Sequence, residues 1–449
     1  MTRPDPSIYA LPLGQAAFED AVRRGLGRAH LHAQQHGIGN QGHFLLGACL
    51  RNDVYDPQCE ASRAPYLIQL ARTVGLEAEL HDRLLAADPE PESDNAWQVE
   101  AFHRQLAKEG YDPSREWLYK RVEGSIRPLC GHDLFDLIEL DGFSGALRVA
   151  QNVGDRWEFG ADAYNVVRNV AKHIDLSLDE VIERFDAHSH EMNVSAFLGL
   201  VRRHKDQQAA PGVSHIDPVG RSMQEVVEQI GLRCKPFRLS VAKAIRNATE
   251  DQLEALGRET RTVARTNPEL ANQLVRGVPR DRIPPSVVDF HLDRVRAHPP
   301  TTEGRKQAGV FSWQSALRLG HVADPRIEPL ALDVHEAGYE VAAIAMLSSV
   351  YRAQHEPLLW KTIESAENIY ALHSALDAVI DIFHERDNPS PRRDLLLHAY
   401  AYTPCTNCRA RAVEALRATG ELPAHIEAEW PFDAEAVGWD DPQTPTPAS

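Results

Sequence analysis

Two thiols three residues apart, in Cys405-Thr406-Asn407-Cys408, are the residues whose type and spacing most directly allow chemistry. Pro404 just before them suits a first helical turn, so the spacing predicts both thiols at the N-terminus of a helix. There the helix dipole favours a thiolate. A redox pair of this spacing works in a βαβ setting, and no such pattern surrounds this one. A zinc site asks for about four ligands; His398 nearby raises the set in view to three. The simplest reading takes both cysteines as small, half-apolar side chains packing the start of a helix.

Other clusters offer less. His30, His32, His36 and His43 lie close together, and His32 and His36, four apart, share a helix face as a metal pair requires. No Asp, Glu or Cys completes that set locally, which favours a solvated or capping role. His188-Ser189-His190-Glu191 reads as a helix end with His complementing the dipole. Asp56 to Arg63 is dense in polar groups and reads as a capped, hydrogen-bonded turn. Cys59 within it needs a paired His before it can act as a nucleophile. No phosphate loop after a strand, nucleophile elbow or zincin motif is present. No catalytic residue and no cofactor are assigned.

Charge marks one further stretch. The chain carries a net −17 from 48 basic and 65 acidic residues, which disfavours non-specific binding of the whole molecule to nucleic acid or an anionic membrane. Residues 202–306 reverse the sign, with 19 basic against 13 acidic residues. Arg202, Arg203, Lys205, Arg233, Lys235, Arg238, Lys243 and Arg246 are the candidates for contact with phosphate backbones if they share a concave face. An alternative use for them is pairing with the acidic C-terminal tail, whose residues 421–449 hold seven acids and no Lys or Arg.

The elements that must position these residues are helical. Apolar residues recur at helical spacing along most of the chain, and no convincing strand pair is found. Residues 1–13, with three prolines, read as an extended lead-in. One helix is predicted from Leu13 to His36, stopped by Gly37. Ser62 is predicted to cap the helix through Leu70, Ser177 and Glu180 to form a capping box, and Thr249 to open another helix. Residues 14–206 form an irregular helical region, 207–306 a basic middle region that begins with a Pro- and Gly-containing loop, and 307–420 a repeat block. In the repeat block Asp324-Pro325 reads as a cap and a first helical residue. Residues 421–449 end in a Pro/Thr-rich tail predicted to be disordered. The N-terminus lacks the apolar core of a signal peptide, and six cysteines make no disulfide framework in a chain this long. With no run long enough to span a membrane, a cytoplasmic protein is expected.

Three similar segments recur about every 34 residues in the repeat block, a period that signals stacked helical pairs. They are Ala343-Ile344-Ala345-Met346-Leu347, Ala378-Val379-Ile380-Asp381-Ile382 and Ala412-Val413-Glu414-Ala415-Leu416. With Asp324-Pro325-Arg326 and Cys408-Arg409-Ala410-Arg411, these segments resemble the HEAT and HEAT-like repeat proteins. The resemblance is clear over 305–420 and faint elsewhere. It implies an all-α fold, an irregular α-solenoid of antiparallel helical pairs. It also implies a non-enzymatic scaffold that binds another protein. Some members of the family bind nucleic acid on the concave face, and a few helical-repeat proteins are DNA-repair glycosylases. Three functions are therefore carried forward: a protein-binding scaffold, a nucleic-acid-binding or nucleic-acid-modifying protein using 202–306, and a metal or redox protein centred on Cys405 and Cys408.

Overall fold

The computed structural model describes residues 10–56, 60–90, 93–124, 135–154, 156–157, 160–209, 245–298, 300, 307–384 and 393–438. The fold is all-α: among these residues there are 23 α-helices and no strand. No helix among them is long and apolar enough to cross a membrane. The chain divides into two compact units, Tyr9–Ser214 joined by His425–Ser449, and His215–Ala424 preceded by Met1–Ile8.

The first unit opens with α1 (Gln15–Arg24), α2 (Arg28–His36), α3 (Gly42–Cys49), α4 (Arg63–Thr73) and α5 (Glu77–Ala86). It continues through α6 (Asp94–Lys108), α7 (Asp112–Glu123), α8 (Phe135–Val153), α9 (Gly160–His173), α10 (Leu178–Asp186) and α11 (Met192–Ala209). Local signals set several boundaries as expected. Ser62 accepts from the Ala64 amide at the start of α4, and Ser177 with Glu180 forms a capping box on α10. Each such cap is worth about 1 kcal/mol because it satisfies amides the helix leaves open. Apolar faces then meet in two cores, one around Phe18, Leu45, Tyr66 and Phe102, the other around Val166, Phe185 and Phe197.

The predicted single helix from Leu13 to His36 is instead two. Gly25 closes α1 in the left-handed region at φ 68°. A side chain at Gly25 would run into Arg63 and Ala434, and one at Gly27 would overlap the carbonyl of Glu429. The break thus makes room for the C-terminal segment, which is the second correction. Residues 424–438, within the stretch read as an acidic tail, form α22 (Ala424–Glu429), a 3₁₀ turn at Trp430–Phe432 and α23 (Ala434–Gly438). The Ala434 amide donates to Gly25 O at 2.9 Å, and Phe432 stacks on His30. Glu429 accepts two 3.0 Å hydrogen bonds from Arg28, both side chains being buried. Glu435 accepts from the Ala61 amide, and the neighbouring Glu60 binds Arg63 in a second buried ion pair. Glu429 and Glu435 of this segment thus bind α2 and the turn before α4. The rest of the tail, 439–449, lies outside the described residues.

The second unit contains α12 (Glu250–Val263), α13 (Pro268–Arg276), α14 (Pro285–Ala297) and α15 (Gln307–Leu319). Thr249 and Gln252 form the capping box of α12. Then come α16 (Ile327–Glu336), α17 (Glu340–Leu347), α18 (Glu356–Glu364), α19 (Ile369–His384), α20 (Arg393–Tyr402) and α21 (Thr406–Ala418). Asp324 does not begin α16; it accepts from the Arg326 amide, and the helix starts at Ile327. Gly338, at φ 88°, turns the chain between α16 and α17. The three small-residue segments fall on α17, α19 and α21. Helix α17 packs on α19 and α19 on α21, while α16, α18 and α20 pack on α17, α19 and α21 in turn. Buried Ala343, Ala375 and Ala412 have no bulk to hold these helices apart. Residues 210–244 of the basic middle region lie outside the described residues.

Candidate metal centre

The packing of α19 on α21 brings two rows of polar side chains face to face. On α19, His373, Asp377 and Asp381 are four residues apart and share a face. On α21, Cys408 and Arg411 are three apart and face them. Cys405 is the N-cap residue of α21 in extended backbone, and its amide donates to Thr403 Oγ1. Pro404 therefore stands just outside the helix, and the thiols occupy the N-cap and third helical positions.

Cys408 Sγ lies 3.3 Å from His373 Nε2 and 3.4 Å from Asp377 Oδ1. Both sulfurs and the imidazole nitrogen lie within 4.8 Å of one another. A tetrahedral zinc ion with Zn–S of about 2.3 Å and Zn–N of about 2.0–2.1 Å needs ligand separations of roughly 3.6–3.8 Å, so small side-chain adjustments suffice. Behind the trio, Arg411 donates to Asp377 Oδ1 at 2.6 Å and also binds Asp381. A shell of this kind orients a ligand and keeps its charge balanced.

The electrostatics separate the metal and redox readings. The hydrogen bond with Cys405 pushes the Cys408 thiol up, and burial and the Asp377 carboxylate push in the same direction; Arg411 opposes them. Cys408 is thus not the activated thiolate of a redox pair. The two cysteines are only 2% and 4% exposed, closed to an attacking thiol or disulfide. Clustered thiols and an imidazole are donors that a metal ion, which displaces thiol protons itself, can use.

His398 is not part of the trio. It is buried on α20 against Trp360 and Tyr402, with ring centroids 5.3 and 4.4 Å away, and neither ring nitrogen has a hydrogen-bond partner. Burial lowers its pKa to about 4. His373 takes the place expected for it. The signal that points to His373 is its separation of 35 residues from Cys408, close to the spacing of about 34 at which the small-residue segments recur.

No protein-family model, curated protein or solved structure matches this chain.

The remaining candidates are dispersed. His30 bonds the Tyr66 carbonyl and His32 Nδ1 accepts from the Leu13 amide, so neither is turned toward a shared ligand. His188 stands 3.7 Å from Glu191 at a helix end. Of the basic residues, Arg202, Arg203 and Lys205 lie on α11 in the first unit and Arg246 in the second. Arg202 binds Asp186 and Lys205 binds Asp179. Arg233, Lys235, Arg238 and Lys243 lie outside the described residues, as does Cys59.

Proposed function

We propose that this protein is a non-enzymatic helical-repeat scaffold whose last repeat is pinned by a zinc ion. The observation that carries the metal is the mutual placement of Cys405, Cys408 and His373 within 4.8 Å. Two thiolates and an imidazole form a donor set suited to zinc. Asp377, whose Oδ1 lies 3.4 Å from Cys408 Sγ and accepts from Arg411, is the candidate fourth ligand in this reading. A site filled by four protein ligands leaves no position for substrate and is structural.

The scaffold reading is supported by residues at the same end of the helical pairs. Ile369 and Tyr370, one turn before His373, are 51% and 70% exposed, and Tyr402, three residues before Cys405, is 38% exposed. Aromatic and aliphatic side chains left in water beside a rigid centre suit a protein partner. Nucleic acid has less support, because Arg202, Lys205, Arg261 and Arg282 are each paired with a carboxylate.

Elemental analysis after zinc loading and exhaustive removal of free metal tests the centre. One zinc per chain is expected. The ion is lost in Cys405→Ser/Cys408→Ser, weakened in His373→Ala and retained in His398→Phe. A wild-type protein that holds no stoichiometric metal refutes the proposal.

A further inference from the structure

A cavity of about 350 Å³ opens between α13, the 3₁₀ turn Arg280–Arg282, α14 and α15. Arg276, Arg280 and Arg318 line it, and among the described residues no carboxylate does. Arg318 is anchored by hydrogen bonds to the carbonyls of Val278 and Arg276 at the end of α13. Arg276 and Arg280 form no ion pair among the described residues. Elsewhere in this unit the arginines find acids: Arg258 binds Glu254, Arg261 binds Asp289, and Arg326 binds both Asp324 and Asp289. Burial lowers the pKa of Arg318, and Arg280 and Arg276 lower it further, so the three cations already repel one another. In a chain of net −17, such a concentration of uncompensated positive charge calls for an anion.

A second observation points into the same cavity. His291 lines it and is 2% exposed, yet its Nε2 has no hydrogen-bond partner. Its Nδ1 is held by Ser315 Oγ at 2.9 Å, which fixes the ring. Burial first, then Arg318 and Arg294, bring its pKa to about 3, so the ring is neutral. A buried polar atom without a partner costs about 1–3 kcal/mol, a cost that a ligand reaching Nε2 from the cavity would remove. The half-buried ring of Trp313 forms another wall. Beside it Asn272 Nδ2 donates to Gln314 Oε1 at 2.6 Å, which fixes both amides.

We infer that this cavity binds a small organic phosphate monoester carrying a planar ring. Its phosphoryl group sits among Arg276, Arg280 and Arg318, and its ring lies toward Trp313, with His291 Nε2 bonding a polar ligand atom. Guanidinium groups match phosphate oxygens in pairs, and an aromatic wall takes a flat ring. A volume of about 350 Å³ lies at the small end of ligand pockets and suits a mononucleotide-sized molecule.

Calorimetric titration of the full chain with AMP, adenosine and inorganic phosphate tests this. AMP is expected to bind at least tenfold more tightly than either fragment. Arg276→Gln/Arg280→Gln changes two exposed side chains and is expected to weaken AMP at least tenfold, while Arg296→Gln, on α14 but outside the cavity, leaves it unchanged. His291→Phe fills the cavity wall without a polar atom and is expected to weaken AMP several-fold. No AMP binding, equal binding of AMP and phosphate, tighter binding of adenosine, or an affinity indifferent to the Arg276/Arg280 change overturns the inference.

Discussion

Two buried polar clusters in this molecule look alike by composition and differ in what they need. In the first unit, Arg28 with Glu429 and Arg63 with Glu60 form ion pairs between oppositely charged groups. In the second unit, Cys405, Cys408 and His373 bring together three groups that are all good donors to a metal, with the Cys408 proton held tightly. The first cluster cancels its own charge and works as architecture. In the proposed reading, the second is completed by a zinc ion that its own members do not supply. Burial alone does not mark a site; what matters is whether the groups brought together complete one another.

The largest expected effect strikes the first cluster. Glu429→Ala leaves Arg28 buried without its partner and is expected to cost about 3–5 kcal/mol in urea unfolding. Arg28→Met/Glu429→Met removes both charges and is expected to recover most of that loss. If the single variant is as stable as the double, the pair is not a structural lock. Next, Gly27→Ala puts a methyl group into the Glu429 carbonyl and is expected to cost about 1–3 kcal/mol. Limited proteolysis should then cut within 425–438 faster than in the parent protein.

The second cluster is expected to respond to pH through its ligand. Zinc displaces the thiol protons, and the Cys408 thiol is held above its ordinary range, so lowering the pH favours the protonated, metal-free state. Zinc affinity should fall about tenfold per pH unit for each proton released. Competition with a chelator from pH 8 to 6 measures it; a flat profile contradicts thiolate ligation.

Buried histidines produce a pH effect of their own. Burial lowers His30, His103 and His398 to about 4, against 6.5 in a flexible chain. The unfolded chain therefore binds more protons between these values, and stability falls as the pH drops from about 6.5 towards 4. His398 has no hydrogen bond at either ring nitrogen. His398→Phe is expected to remove about 1–3 kcal/mol of that acid sensitivity while leaving stability at pH 8 within about 1 kcal/mol. The smallest effect, about 1 kcal/mol, is expected for Ser177→Ala, which removes one helix cap by thermal unfolding and leaves both clusters intact.

Legibility differed by range. The caps at Ser62, Ser177 and Thr249 depend on residues within four positions of each other, and each was readable. So were the two thiols at the start of α21, since their spacing places them there whatever surrounds them. The partner histidine was misjudged because nearness in sequence favoured His398, whereas the packing of α19 on α21 brings together residues 35 apart. The helix predicted over Leu13–His36 ran through Gly25 without a break. The reason for the break, the segment around Glu429 and Ala434, lies about 400 residues away.

The amino-acid order by itself determined the all-α class, the three repeated small-residue segments and the helix ends with local caps. Helical periodicity and capping act over a few residues, and no fold is needed to express them. Only the tertiary structure decided that residues 425–438 close over the N-terminal helices, that His373 completes the thiol pair, and that Arg276, Arg280 and Arg318 converge without an acid. Each of these depends on how helices distant in the chain pack on one another, and that packing sets which charges and donors meet.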